Sequence, residues 1–415
     1  MKKLLCVLIG LALMTTMCVL VTACDEEETT TTEASTDTST NTTAAAASKG
    51  TIKIGEIRSL TGNLAMTSQL MNSAFDLAFS EVDYQVAGYE IEIIIGDSKG
   101  DPTTAVDVAR RMVESDGVDL IVGATTVGEN MALAGYCNQA GIPQIMNTPF
   151  PIMALQDNQW VIAAGGTPAQ MTSPMGDYLY NELGYTKIDT VTQDNSSGRA
   201  FLTPVATTFK ARGGEVVQET YTAFPAADFA PYLTALKPAD AVVAWTAGAD
   251  AIKFLTQYHE MGIDKELPLV GAFHGSFLVP VVLNELAPAT AESYVGNLVT
   301  SPYSPNLDTE INRDFVAAVQ ANMGMIPDDS TSGPYTTALV IMEALEATDG
   351  DTTPEVLMDA LLNVSLTGPA GLVSFDQTTK AIIWNIYICE VVNEDTGYAL
   401  NDVFTYESVG PNGLQ

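Results

Sequence analysis

From Thr51 onward, short Ile- and Val-rich runs alternate with longer stretches whose apolar residues recur every three or four positions. The short runs are TIKIGEI (51–57), YEIEIIIGD (89–97), VDLIVGAT (118–125), IPQIMNT (142–148), KIDTVTQD (187–194), DAVVAWT (240–246), LPLVGAF (267–273) and YVGNLVT (294–300). Runs without polar alternation predict strands buried on both faces, in parallel sheets covered by helices. The segment DPTTAVDVARRMVESDG shows how one covering helix is specified. Asp101 caps it, Pro102 occupies the first turn, and Ala105, Val106, Ala109, Met112 and Val113 make its apolar face. Gly117 ends it. Repeated βα units predict an α/β, doubly wound architecture. About 365 residues from Thr51 to the end exceed one core, so two domains are expected.

In open α/β sheets ligands sit beyond the carboxyl ends of the strands, where strand order reverses. The segments to examine are therefore Arg58–Asn63, Thr125–Gly128, Asn147–Phe150, Asp194–Gly198, Trp245–Asp250 and Phe273–Ser276.

The N-terminus follows other rules. Lys2 and Lys3 precede an apolar run of roughly twenty residues ending in VTAC, the layout of a secretory signal. Such a run is also long enough to span a bilayer. Its ending resembles the lipobox of bacterial lipoproteins, which implies a signal over 1–23 and a lipidated Cys24. Residues 25–50 hold nine Thr, six acids and no aliphatic side chain larger than Ala. That segment lacks the apolar surface to offset its ordering entropy, so 24–50 reads as a lipidated Cys and a disordered tether spanning on the order of 30 Å.

Charge and chemistry narrow the partners. Without residues 1–23 the chain carries 15 basic residues against 51 acidic, a charge of −36. Nucleic acid, which demands a basic face, is excluded as a partner. With His259 and His274 the only histidines and no CxxC or HExxH, no metal or cofactor site is expected. Cys137 and Cys389 lie in apolar runs and read as buried free thiols or one disulfide. There is no GxSxG and no glycine-rich phosphate loop, so no enzymatic chemistry is indicated.

IKIGEIRSLTGNLA, IEIIIGDSKGDPTTAVDVARRMV, LIVGATT and GIPQIMNT, followed later by PYTTALVIMEAL and LTGPAGLVSFD, occur in a characteristic order. Over residues 51–393 the chain resembles the branched-chain amino acid and amide class of ABC-transporter substrate-binding proteins. The resemblance implies a type I periplasmic binding protein fold, two lobes joined by three chain crossings that close on ligand. Lobe 1 is expected over 51–166 and 300–365, lobe 2 over 167–299 and 366–408, with a tail at 409–415. It further implies a monomeric, extracytoplasmic, lipid-anchored receptor that hands a small organic molecule to an ABC permease. A sensor of the same fold, signalling to a membrane partner, is the alternative.

The sequence departs from the family's amino acid binders at each ligand segment. GATTVGEN offers Thr125 and Thr126 but no Ser; MNTPFP places bulky Phe150 where small residues are usual. GAFHGS puts Phe273 and His274 where an acid is expected, and Ser197 stands where an aromatic contact is frequent. These departures shift the expected ligand toward a small carboxylate- or amide-bearing molecule with an apolar or aromatic body, a branched-chain amino acid remaining open.

Arg58 either grips a carboxylate bidentately or pairs with Glu56 on its own strand face. Thr125 and Thr126 precede a helix and either receive an anion or cap it. Trp245 and Tyr335 offer flat walls, Trp245 with core as its other reading. His274 is a candidate donor or a merely exposed side chain. Ser197, with Asp194 and Ser196 nearby, caps a helix or meets ligand, and Asp250 caps its helix or takes an ammonium.

Overall fold

The computed structural model describes residues 48–149, 152, 155, 158–271, 280–394 and 397–414. The signal, Cys24 and nearly all the tether fall outside the described residues, as do Phe150 and His274.

Among the described residues two sheets form. The first orders its strands β2 (Gln85–Val86), β3 (Tyr89–Asp97), β1 (Thr51–Arg58), β4 (Leu120–Gly123), β5 (Gln144–Met146) and β6 (Val161–Ala163). All neighbours run parallel except β2 with β3. The parallel core of the second runs β8 (Glu215–Thr222), β7 (Lys187–Gln193), β9 (Ala241–Trp245), β10 (Leu269–Gly271) and β11 (Leu298–Ser301). Beyond β11 it is extended antiparallel by β14 (Ile382–Glu394), which pairs with β15 (Gly397–Val409) and with β13 (Gly371–Phe375), itself paired to β12 (Leu366–Gly368). The sequence reading had no strand for this extension, although β14 is largely apolar and buries Ile386, Tyr387, Ile388 and Cys389 in succession.

The helices are α1 (Ala65–Ser80), α2 (Pro102–Arg111), α3 (Val127–Ala140), α4 (Pro168–Asn181), α5 (Ser196–Arg212) and α6 (Ala230–Thr234), then α7 (Ala249–Glu260), α8 (Pro280–Leu283) and α9 (Pro288–Glu292). They continue with α10 (Glu310–Met323), α11 (Asp329–Ala347) and α12 (Pro354–Asn363). The chain leaves the first sheet after β6, leaves the second after β11 so that α11 can pack on α1, and returns at β12. Those are three crossings. Each parallel sheet reverses order about its first strand, β1 or β7, so both present their reversal edges on the carboxyl side.

Local chemistry explains the elements. Asp101 caps α2 by accepting from the Thr104 amide at 2.7 Å, and Gly117 closes the following π turn with φ +69°. Ala105, Ala109 and Met112 are buried as the periodicity predicts, whereas Val106 and Val113 are half-buried. Strands β4 and β9 are buried on both faces. β3 is not: Ile95 stays 45% exposed, because only the two-residue β2 lies beyond it. Cys137 and Cys389 are free and lie in different clusters, so the disulfide alternative falls. Burial pushes the Cys137 thiol up to about 12, leaving it inert.

One glycine is fixed by close approach. Gly123, at φ +120°, would place a Cβ 2.2 Å from the Ile57 carbonyl oxygen. Gly123→Ala is expected to destabilise the protein by about 2 kcal/mol or more, combining backbone strain with a steric clash. Urea unfolding measures this; an unmoved midpoint would show that β1 and β4 tolerate separation there.

Candidate functional site

The reversal edges of the two sheets face each other across a cavity of about 110 Å³. Thr125, Thr126 and Val127 enter it from the loop after β4, and Asn147, Thr148 and Pro149 from the loop after β5. The second lobe contributes Ser197 and Phe201 of α5 and Trp245 and Ala247 from the end of β9. Leu64 and Met71 add an apolar rim from α1, and Asp329 and Ser330 arrive at the start of α11.

Trp245 is 6% exposed and stacks on Phe201, ring centroids 5.2 Å apart and planes within 12°. Such a pair contributes about 0.5–1.5 kcal/mol beyond its buried area and makes a rigid flat wall. The Trp245 Nε1–H is buried and meets no acceptor among the described residues. An unpaired buried donor costs free energy unless something completes it.

The first-lobe wall is built by hydrogen bonding. Asn130 of α3 ties the two loops together, its Nδ2 donating to the Ala124 carbonyl at 3.1 Å and to Thr148 Oγ1 at 2.9 Å. Thr125 Oγ1 accepts from the Ser59 amide at 3.2 Å and bonds Ser68 at 2.9 Å. Thr126 and Glu129 form a reciprocal capping box at the start of α3. Glu129, fully buried, also accepts from Ser59 and Ser98. A carboxylate thus already occupies the positive end of α3.

The lobes touch. Val127 N–H donates to Ser197 Oγ at 3.4 Å, and Ala249 N–H to the Asn63 carbonyl at 3.3 Å. Gly248, at φ +64°, permits that approach, since a Cβ would lie 2.4 Å from the Asn63 oxygen.

Of the residues singled out from sequence, Thr125, Thr126, Ser197 and Trp245 line the cavity. Arg58 does not: it is fully buried, its Nε donating to Glu56 Oε1 at 2.9 Å and its Nη1 to Asn147 Oδ1 at 2.7 Å. The pairing reading of Arg58 is the observed one. Tyr335 sits in the core against Phe315, ring centroids 4.7 Å apart, and donates to Glu81. It is held there because α11 packs along α1. At Ser197 the cap is supplied by Asn195 instead, which accepts from the Gly198 amide at 2.8 Å. Asp194 is held at the surface by Arg199, and Asp250 by the Ala226 amide, Gln193 and Lys253.

The sequence reading missed Phe201, four residues after Ser197 and so on the same helix face. It also missed Asp329, which reaches the cavity from a helix start with no strand before it. Asn147 fell inside a segment marked for its place after a strand, without being singled out.

A family model described as periplasmic binding protein matches residues 51–397. The chain belongs to this family. A relative from Brucella melitensis, Leu/Ile/Val-binding protein homolog 6, is 25% identical over 373 residues, covering 88% of this chain and 94% of its own. An ABC transporter substrate-binding protein from Sphaerobacter thermophilus superposes with TM-score 0.78 at 29% identity, covering 86% of this chain and 98% of its own. A solute-binding protein of an ABC transporter from Rhodopseudomonas palustris, in complex with 3,4-dihydroxybenzoic acid, gives TM-score 0.81 at 27% identity, with 87% and 98% covered. The fold is the type I periplasmic binding protein fold, and the family serves ABC transporters as substrate-binding proteins rather than as enzymes. Among the described residues of this periplasmic binding protein no helix is long and apolar enough to cross a membrane.

Behind the cavity the Glu56–Arg58 pair titrates abnormally. Burial pushes the Glu56 carboxyl up to about 7, against the pull of Arg58, and Asp76 of α1 adds to the rise. The folded protein therefore holds a proton that the unfolded chain releases near its ordinary value of 4.5. Stability from this group is complete below 4.5, declines as pH rises to about 7 and is level above. The stability difference between wild type and Glu56→Gln should fall by on the order of 2–3 kcal/mol across that window. Urea titrations at successive pH values measure it, and a flat difference would refute the assignment.

Proposed function

We propose that this periplasmic binding protein captures a small aromatic carboxylate between its lobes and delivers it to an ABC importer. The observation that carries the reading is the Phe201–Trp245 stack with the Trp245 indole N–H left unpaired at the cavity. A planar ligand ring lies against that stack and offers an acceptor to Nε1. Its carboxylate meets Val127 N–H, displacing Ser197 Oγ, and the amide of Asn147. The relative solved with 3,4-dihydroxybenzoic acid adds support.

The reading extends to the N-terminus. The VTAC ending supports lipidation at Cys24, and the Thr- and acid-rich stretch after it supports a tether that holds the receptor near its permease outside the cytoplasmic membrane. The lobe boundaries at 166/167 and 365/366 belong to the same reading, supported by the sheet to which each strand pairs. The expected boundary at 299/300 instead cuts β11, whose Thr300 and Ser301 still pair with Ile388 and Tyr387 of β14, so the second crossing falls after Ser301.

A second ligand class has its own observation. Asp329 brings a carboxylate to the cavity, the group an ammonium needs, and the Brucella relative is named for leucine, isoleucine and valine. A branched-chain amino acid is the competing ligand.

Titration calorimetry with 3,4-dihydroxybenzoate, benzoate, leucine and isoleucine separates the two. The aromatic acids are expected to bind, with Trp245→Leu lowering their affinity about tenfold or more, the worth of one lost stack and hydrogen bond. Binding of isoleucine alone, abolished by Asp329→Asn and indifferent to Trp245→Leu, would replace the aromatic reading with the amino acid one.

A further inference from the structure

Arg58 has no place in the cavity, yet it reaches the cavity wall through one neighbour. Its guanidinium carries only donors, so the Asn147 atom facing Nη1 at 2.7 Å must be the amide oxygen. The Asn147 amide nitrogen then faces away from Arg58. It is buried and meets no acceptor among the described residues, while Asn147 itself lines the cavity and is 4% exposed. Left alone, an asparagine amide flips between presenting an acceptor and presenting donors. Here a fully buried guanidinium removes that freedom.

The guanidinium is itself fixed. Its Nε donates to Glu56 Oε1 at 2.9 Å, so one planar fork engages the acid on its own strand and the amide at the end of β5 at once. A lysine, whose three N–H donors all radiate from one nitrogen, lacks the spaced planar fork that reaches both acceptors. The register explains why the pair exists: Glu56 and Arg58 lie two residues apart on β1, hence on the same face.

We propose that Arg58 is a positioning residue that sets the hydrogen-bond polarity of the first-lobe wall, forcing Asn147 to offer amide donors and so selecting ligands that bring an acceptor oxygen there. This rests on the reading of the cavity as the ligand site. It requires a carboxylate or hydroxyl oxygen, and rejects an ammonium, at the Asn147 wall.

The test is a double-mutant cycle on Arg58→Lys and Asn147→Ala, with 3,4-dihydroxybenzoate and isoleucine as probes. Each single variant is expected to lose about tenfold in affinity for the probe the wild type binds, and the double variant no more than Asn147→Ala alone. Losses that multiply would overturn the proposal, since Arg58 would then act independently of Asn147. Should Arg58→Lys fail to fold, Asn147→Asp decides. It keeps a partner for Arg58 as an ion pair but presents only acceptors, and is expected to lower affinity for a carboxylate probe a hundredfold or more; unchanged affinity would overturn the proposal.

A ligand-free readout separates this inference from the proposed function. The side-chain amide cross-peak of Asn147 in a nitrogen–proton spectrum is identified by its loss in Asn147→Ala. It is expected to shift in Arg58→Lys. If neither probe binds the wild type but the cross-peak shifts, the ligand reading fails while the orientation by Arg58 stands. If the cross-peak does not move, the proposal fails whichever probe binds.

Discussion

The parallel register of β1 is the constraint from which the site follows. Its residues pair with β3 from Thr51↔Glu90 to Arg58↔Asp97 and with β4 from Ile54↔Leu120 to Ile57↔Gly123. Parallel strands deliver all their carboxyl ends to one edge, so the loops after β1, β4 and β5 are brought together without any contact in sequence. The same geometry acts in the second sheet about β7, where β9 ends at Trp245. Two edges built alike and placed face to face make a cleft; loop chemistry decides what enters it. Gly123 shows how tightly this is drawn, because β1 and β4 approach too closely there for a side chain.

The wall behind the cleft is polar in a place where apolar packing would cost less. A buried ion pair rarely repays its desolvation by attraction alone, and replacing one with well-packed apolar residues is often neutral or stabilising. Glu56 Oε2 and Arg58 Nη2 both meet no partner among the described residues, so this pair is not a fully satisfied one. Its presence at zero exposure is therefore poorly explained by stability. A role in holding an amide in one orientation supplies the missing reason, and it concerns specificity rather than the fold.

Much of the architecture was legible because it rests on local signals. Unbroken Ile and Val runs announced β4 and β9, and Asp101–Pro102 announced α2. β3 misled, since an Ile-rich run implies two covered faces and the edge position of its neighbour is not written in the run itself. The antiparallel extension was legible in β14, whose apolar run from Ile382 to Val392 is broken only by Asn385 and Glu390, but not in β15, which mixes polar and apolar residues and is little buried. Within the site, Thr125 and Trp245 at strand ends and Ser197 in the first turn of α5 were found, whereas Phe201, one turn further along α5, and Asp329, at a helix start with no strand before it, were not. Arg58 and Tyr335 failed for a shared reason. Both carry chemistry suited to a ligand, and both have an acid within reach in the fold, Glu56 and Glu81, that engages it first. Sequence gives the proximity of Glu56 but not the distant approach of Glu81.

Shape alone does not distinguish an aromatic acid from an aliphatic amino acid in so small a cavity, since both present a carboxylate on an apolar body. What separates them is the second polar end. An aromatic acid with a ring hydroxyl brings an acceptor that suits Trp245 Nε1, whereas an amino acid brings an ammonium that needs an acid such as Asp329. A site that leaves donors unpaired penalises a ligand lacking acceptors more than it rewards one of better fit, because buried donors without partners carry their full desolvation cost. The unpaired N–H groups of Asn147 and Trp245 stand on opposite lobes. A ligand with an acceptor at each end therefore completes both on closure, tying recognition to the closed state itself.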